Sequence, residues 1–269
     1  MPSPTSLMAT LALALAVSAC GQAAQPPGQS APPSGQEAAD RPAVIKAIEQ
    51  QGLEIAGEFE APGGLRGFAG SAGQRPIAVY VTPDGAHAIV GTLVDEKGTD
   101  VSGPALQRLV VEPMSKRIWA QLEKSHWVAD GNANAPRVVY TFGDPNCPYC
   151  HRFWQASRRW VQSGKVQLRH VLVGVIREDS ANKAAAILTA KSPSEALTLN
   201  EQRFDQGGIQ GLPVISGEVR DRLDANERLM SELGFQGTPG ILFRDQAGLI
   251  QTRSGLPAPE DMEVVLGPP

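Results

Sequence analysis

Apolar positions in the first half of the chain recur with the periods of short helices and strands. Residues 42–49 place three aliphatic side chains on one face of a helix. Residues 77–82 and 87–91 have the composition of strands, and they flank a Pro-Asp-Gly turn that is typical of a hairpin. From residue 104 to residue 127 the helical period returns, and Pro113 is expected to break this run into two helices.

The pattern after residue 136 predicts a β-α-β unit. Residues 137–142 have the pattern of a buried strand, and a helix is expected to begin at Pro148, where the missing N–H of a proline costs nothing. Residues 166–176 predict the second strand. Two helical stretches and a further strand follow, at residues 181–204, 219–233 and 240–243. The helices delay the last strand, so a helical subdomain is expected to be inserted into the sheet fold.

The first forty residues differ in composition from the rest. Residues 7–19 are apolar and uncharged but too short to span a bilayer, which predicts a signal peptide over residues 1–19, although no Lys or Arg precedes the apolar run. The segment ending at Cys20 resembles a bacterial lipobox, which predicts lipidation of Cys20. Ordinary signal cleavage is the alternative. Residues 20–40, rich in Pro, Gly, Gln, Ser and Ala, are expected to form a disordered tether.

Composition and charge exclude several classes of protein. A chain of 269 residues with 42% hydrophobic residues can bury a core, so a disordered or fibrous protein is not expected. The formal net charge is −4 and no basic run is present, which argues against nucleic acid as a partner. Of the three cysteines, two form a C-x-x-C pair.

The C-x-x-C pair, Cys147 and Cys150, carries the clearest chemical signal. A cysteine at the start of a helix faces unpaired N–H groups and the positive end of the helix dipole, which favours its thiolate. Cys147 is therefore the candidate nucleophile. Cys150, one turn further along, is expected to be less exposed and to act as the resolving thiol.

Three other interpretations of the pair remain open. C-x-x-C is half of many zinc sites, but no second C-x-x-C or C-x-x-H completes one. With His151, the pair also matches the C-x-x-C-H signature of c-type haem attachment, although here the motif follows a strand. A purely structural disulfide would close a loop of only four residues and constrain the unfolded chain little.

A second candidate element is the Thr238-Pro239 dipeptide before the strand at residues 240–243. Thr-Pro at a strand entrance is common as a plain turn. In a chain with C-x-x-C upstream, it also resembles the cis-proline loop of thioredoxin-fold proteins, whose backbone contacts a substrate. The 238–239 peptide bond is therefore predicted to be cis and to lie against Cys147 and Cys150.

Eight segments in order resemble the DsbC/DsbG isomerase family of periplasmic thiol:disulfide interchange proteins, and its DsbG members in particular. They are PAVIKAIEQQG, APGG, YVTPDGAHAIVG, SHWVADG, FGDPNCPYCHRFW, SGKVQLRHVLVGVI, GTPGILF and GLP. The likeness covers residues 41–267. It implies an α+β fold, with a cystatin-like dimerisation domain at residues 41–103, a helical linker at 104–130 and a thioredoxin-like domain at 131–269 with a helical insertion at about 180–235.

The resemblance also implies site residues and partners. The family's redox pair maps onto Cys147 and Cys150, and its Thr and cis-Pro map onto Thr238 and Pro239. Pro148, Tyr149 and His151 are candidates for tuning the redox pair, and His151 stands where Lys is common in the family. A homodimer, a membrane electron donor of the DsbD type and no cofactor are implied.

The expected function is that of an exported thiol:disulfide oxidoreductase. Its substrates would be exported proteins with cysteines, whose disulfides it reduces or isomerises and whose sulfenic acids it reduces. The expected location is the periplasm, with outer-membrane anchoring if Cys20 is lipidated. The rival interpretation is a holdase chaperone in which the cysteines are incidental.

Overall fold

The computed structural model describes residues 41–268. The signal peptide, tether and lipidated cysteine predicted for residues 1–40 lie outside this described part. None of the helices it contains is both long and apolar enough to cross a membrane.

The first part of the described chain is one helix and a four-stranded sheet. The elements are α1 (Ala43–Glu49), β1 (Glu54–Glu60), β2 (Arg66–Ala72), β3 (Arg75–Val81) and β4 (Ala88–Val90). The strands pair antiparallel in the order β1-β2-β3-β4. The predicted hairpin is confirmed, since Val81 pairs with Ala88 across the turn. Ile45 of α1 is fully buried against Val79 and Val81 of β3.

A nearly continuous helix leads from this sheet to the next. It consists of α2 (Gly103–Leu106), a π-helical stretch over Gln107–Val111 and α3 (Glu112–Lys124). The prediction that Pro113 breaks the run is wrong. The N–H of Glu112 bonds to the carbonyl of Gln107, and Pro113 occupies the first turn of α3, so the wide π turn accommodates the proline without ending the helix.

The second sheet contains five strands in the order β5-β7-β6-β8-β9. They are β5 (Trp127–Asp130), β6 (Arg137–Gly143), β7 (Val166–Leu172), β8 (Gly240–Arg244) and β9 (Ile250–Ser254). β6 and β7 pair in parallel, joined by α4 (Pro148–Gln162), which confirms the predicted β-α-β unit. The other pairings are antiparallel. Sequence reasoning missed β5, which it assigned to the helical connector, and it missed β9 and the final helix α8 (Met262–Leu266).

Helices cover both faces of this sheet because β6 alternates its side chains between two cores. Val139 packs with Phe153 and Trp160 of α4 on one face. On the other face, Tyr140 and Phe142 pack with α3 and with Met230, which lies in a helix between β7 and β8. The thioredoxin-like arrangement implied by the resemblance is therefore present.

A helical subdomain lies between β7 and β8, as predicted. It contains α5 (Ser180–Thr189), α6 (Pro193–Gln202) and α7 (Gly217–Glu232). Its buried side chains pack against Val128 of β5 and Leu172 of β7. The sequence predicted one helix over residues 181–204, but the chain breaks before α6 because a proline cannot continue the helix that precedes it.

The predicted strand over residues 166–176 is four residues too long. β7 ends at Leu172, and Val175 and Ile176 lie in a loop. Their N–H groups donate to the carboxylate of Asp144 at 2.7 and 2.9 Å instead of to a neighbouring strand. The apolar run therefore continues past the strand into an exposed loop beside the β6–α4 turn.

Candidate active site

The end of β6 presents Cys147 at the N-terminus of α4. Cys147 has extended backbone angles and is the N-cap residue, with Pro148 in the first helical position. Its Sγ accepts a hydrogen bond from the N–H of Cys150 at 3.3 Å. The same sulfur lies 3.4 Å from the carbonyl oxygen of Thr238. The two cysteines are free thiols here, so the geometry is that of the reduced pair.

The two sulfurs have opposite electrostatics. The pKa of Cys147 is lowered to about 6, chiefly by the hydrogen bond from the Cys150 thiol; burial opposes this, while Thr238 and the N–H groups of Cys150 and Tyr149 add to it. The pKa of Cys150 is raised well above its ordinary value, first by burial and then by its neighbour Cys147. At neutral pH the pair therefore consists of a thiolate at Cys147 and a thiol at Cys150.

The prediction that Cys150 is less exposed than Cys147 is wrong when each residue is taken as a whole. Cys147 is only 2% exposed, whereas Cys150 is partly exposed. The sulfur of Cys150 nevertheless faces the interior, because a Cβ placed on Gly143 of β6 would lie 3.8 Å from it. Because the exposed area of Cys147 is small, its reactivity depends on its thiolate character and on whether a substrate can pass the surrounding loops.

The Thr238–Pro239 peptide bond is cis, as predicted, and Thr238 lies beside Cys147. The loop is held at the entrance of β8 because Pro239 O accepts a hydrogen bond from Gly255 N at 2.8 Å. Gly240 is required there, since a Cβ at this position would lie 2.7 Å from the ring of Phe235. The Thr238 hydroxyl lowers the pKa of both sulfurs, yet it is buried and has no well-aligned hydrogen-bond partner among the described residues.

The residues between and after the cysteines differ in their surroundings. Pro148 begins α4. Tyr149 is 53% exposed, and the guanidinium of Arg152 lies 5.5 Å from the centre of its ring. His151, in contrast, is only 9% exposed.

His151 is enclosed by the helical subdomain. Its Nδ1 lies 2.8 Å from Oε2 of Glu201, and its ring stacks on Phe204 with centroids 4.4 Å apart. Trp154 lies on a nearly parallel plane at 6.2 Å. These contacts disfavour the haem interpretation, because an axial histidine would have to leave both its carboxylate and its aromatic partner.

Asp144 fixes the turn that carries Cys147. Its Oδ1 accepts hydrogen bonds from Asn146 N and Ser180 Oγ, both at 2.8 Å. Its Oδ2 accepts the two N–H groups of Val175 and Ile176. With four donors on a carboxylate that is 2% exposed, Asp144 holds the turn against the loop after β7.

A buried polar network, which sequence reasoning missed, joins the same turn to the insertion. Lys183 Nζ donates to Asn146 Oδ1 and to Gly207 O, both at 2.7 Å. Asn200 Nδ2 donates to Pro145 O at 3.1 Å. The only signal in the sequence was the polar character of these positions within otherwise apolar helices, and that does not identify their partners. The inserted helices therefore stabilise the turn at residues 144–146, which precedes Cys147.

The site offers few ligands for a metal ion. In the chain from residue 41 to residue 268, no three His, Cys, Asp or Glu side chains are grouped as metal ligands would be. Cys147 and Cys150 provide two sulfur donors and no third.

Comparison with known proteins agrees with this geometry. Residues 128–267 match the family model of a thioredoxin-like domain. The thiol:disulfide interchange protein DsbG of Pseudomonas aeruginosa is 46% identical over 86% of this chain and 90% of its own length. DsbG of Escherichia coli is 42% identical over 86% of this chain and 93% of its own length. The thiol:disulfide interchange protein DsbC of Dickeya dadantii is 24% identical over 77% of this chain and 80% of its own length.

Identity at this level over most of both chains, together with a C-x-x-C pair at the start of the first helix of a thioredoxin-like domain, assigns the family. The chain belongs to the DsbG family of thiol:disulfide interchange proteins.

Proposed function

We propose that this protein is a periplasmic thiol:disulfide oxidoreductase in which Cys147 attacks the substrate and Cys150 resolves the adduct. The observation that carries the proposal is the opposite direction of the two pKa shifts. A thiolate at Cys147 can attack near neutral pH, whereas Cys150 must first lose a proton. Thr238 and Pro239 form the loop against which a substrate strand lies.

Two substrate forms fit this chemistry. With a disulfide, the Cys147 thiolate forms a mixed disulfide and releases one substrate thiolate. With a sulfenic acid, the same attack, together with one proton, forms the mixed disulfide and releases water. The buried Thr238 hydroxyl, which lies beside both sulfurs and has no aligned partner in the described chain, supports the second form because it can donate to the departing oxygen.

The assembly we propose is a homodimer formed through the N-terminal sheet. β4 is an edge strand of only three residues, and Ile89 and Val90 are 57% and 54% exposed. An apolar edge of this kind is a template for pairing with a second copy. The remaining parts of the proposal are an electron donor of the DsbD type, exported proteins with cysteines as substrates, and an outer-membrane anchor at Cys20.

Trapping of the adduct tests the assigned roles. Cys150→Ala should accumulate mixed disulfides with exported proteins, visible on non-reducing gels and lost when reductant is added. Cys147→Ala is the matched control and should accumulate few, because the remaining thiol has a raised pKa. Equal trapping by both variants, or trapping by neither under oxidative stress, would refute the proposed nucleophile.

A further inference from the structure

A small cavity lies next to Cys150, in the interior of the site. Its volume is about 10 Å³, close to the space that one water molecule needs. Its polar lining comes from β6 and the turn after it, from α4, from β7 and from α6. The polar side chains are Thr141, Asp144, Cys150, His170 and Glu201. A buried thiol with a raised pKa thus shares a polar cavity with groups that can exchange protons.

Two of these groups are already committed to other partners. The four hydrogen bonds to the Asp144 carboxylate come from N–H groups of the turn and of the loop after β7 and from the hydroxyl of Ser180 at the start of α5. His170 Nε2 lies 3.3 Å from Asp130, which also binds a guanidinium. A proton on the Asp144 carboxylate would therefore take the place of a hydrogen bond that it now accepts.

Glu201 differs from these groups. It lies one residue before the end of α6 and is 6% exposed. Its Oε2 faces His151 at 2.8 Å, whereas the hydrogen bonds within residues 41–268 leave Oε1 without a donor. The stack of His151 on Phe204 holds the imidazole of this pair in place. A carboxylate buried with one imidazole partner can take up a proton without losing a set of backbone hydrogen bonds.

We propose that Glu201, held by His151, is the proton acceptor for Cys150 when Cys150 resolves the mixed disulfide, with one water in the cavity relaying the proton. This inference rests on the proposed function. It assigns a function to His151, which keeps Glu201 at the cavity.

Resolution of the mixed disulfide begins with a proton transfer. Cys150–SH gives its proton through the water to the Glu201 carboxylate. The Cys150 thiolate then attacks Cys147 Sγ of the mixed disulfide, the bond between Cys147 and the substrate sulfur breaks, and the substrate leaves as a thiolate that takes a proton from solvent. Over capture and resolution together, the cysteine pair is oxidised to a disulfide by two electrons, and the substrate disulfide or sulfenic acid is reduced by the same two.

The charged and titratable groups around the acceptor come from every element that lines the cavity. They are Cys150 and His151 of α4, Asp144 after β6, and His170 of β7 with its partners Asp130 and Arg158.

The test follows the mixed disulfide in time with the full chain. Reduced protein is mixed with an excess of a disulfide-linked peptide. Samples are quenched in acid, and the fraction of protein in the mixed disulfide is measured by mass spectrometry. The rate at which the adduct forms measures attack by Cys147, and the rate at which it decays measures resolution by Cys150. Glu201→Gln should form the adduct at the wild-type rate and lose it about a hundredfold or more slowly at pH 7, since a general base typically contributes at least that much. Its decay should also accelerate with rising pH, as Cys150 ionises unaided.

The matched control is Glu195→Gln, the same substitution at an exposed position of α6. It should match the wild type in both phases. The inference would be overturned if the Glu201→Gln adduct decays at the wild-type rate. It would also be overturned if formation and decay are slowed equally, or if the slowed decay does not change with pH. If Glu201→Gln does not fold, Glu201→Asp decides, because its shorter side chain cannot reach both His151 and the cavity. Slowed decay with unchanged formation supports the inference, and unchanged decay overturns it. Absence of any adduct in the wild type would instead refute the proposed function.

Discussion

Replacement of Cys150 by alanine should raise the pKa of Cys147, because the thiol of Cys150 is the largest cause of the lowered value. A hydrogen bond to a charged acceptor contributes about 1.5–3 kcal/mol, and one pKa unit corresponds to about 1.4 kcal/mol. Water entering the space left by the thiol offsets part of the loss, so a rise of about one unit is expected, from about 6 to about 7. The N–H of Cys150 stays in place and keeps the pKa of Cys147 below its ordinary value.

The rate of alkylation of Cys147 as a function of pH measures this change. At pH 6.5 the thiolate fraction should fall from about three quarters to about one quarter. Cys150→Ser is the matched control, since a hydroxyl restores a donor to the Cys147 sulfur, and its midpoint should stay near that of the wild type. If Cys150→Ala leaves the midpoint of the alkylation profile unchanged, the helix terminus alone lowers the pKa of Cys147, and the assigned cause is wrong.

Three other predictions concern stability and assembly. Asp144→Asn leaves two of four buried donors facing an amide NH₂, so the free energy of unfolding, measured in urea, should fall by about 3 kcal/mol. An unchanged free energy of unfolding would contradict the turn-fixing role. Asp130→Asn removes the partner of Arg158 and His170. Burial acts to raise the pKa of Asp130, but hydrogen bonds from these residues lower it below its ordinary value. The Asp130 carboxylate therefore contributes to the free energy of unfolding above about pH 4, and this contribution is lost as the pH falls further. The difference in unfolding free energy between Asp130→Asn and the wild type should therefore shrink below that pH, and a constant difference would refute the linkage. Val90→Lys should shift sedimentation toward the monomer, and an unchanged dimer would exclude the β4 edge as the interface.

Features with local causes could be predicted from the sequence. The β3–β4 hairpin follows from its turn residues, and the start of α4 follows from Pro148. The thiolate position of Cys147 follows from the same helix start. The cis bond before Pro239 required more, because a Thr-Pro dipeptide alone is a common turn. It became predictable only together with the upstream pair.

Features with distant partners were not predictable. The burial of His151 depends on Glu201 and Phe204, about fifty residues further along the chain. The end of β7 at Leu172 depends on Asp144, whose carboxylate takes the N–H groups that would otherwise extend the strand. In both cases the competing interaction comes from an element whose position is fixed by the inserted helices, and apolar periodicity carries no information about it.

The charges of the two sulfurs also impose an order on the reaction. Besides burial, the pKa of Cys150 is raised by its hydrogen bond to Cys147 and by the charge there. Once Cys147 is joined to a substrate sulfur, it carries no charge and no longer holds the Cys150 proton, so two of the three causes disappear. Capture of a substrate therefore lowers the pKa of Cys150, and burial remains as the barrier to its ionisation. A proton acceptor inside the protein is then needed only after capture, which is the stage at which Glu201 would act.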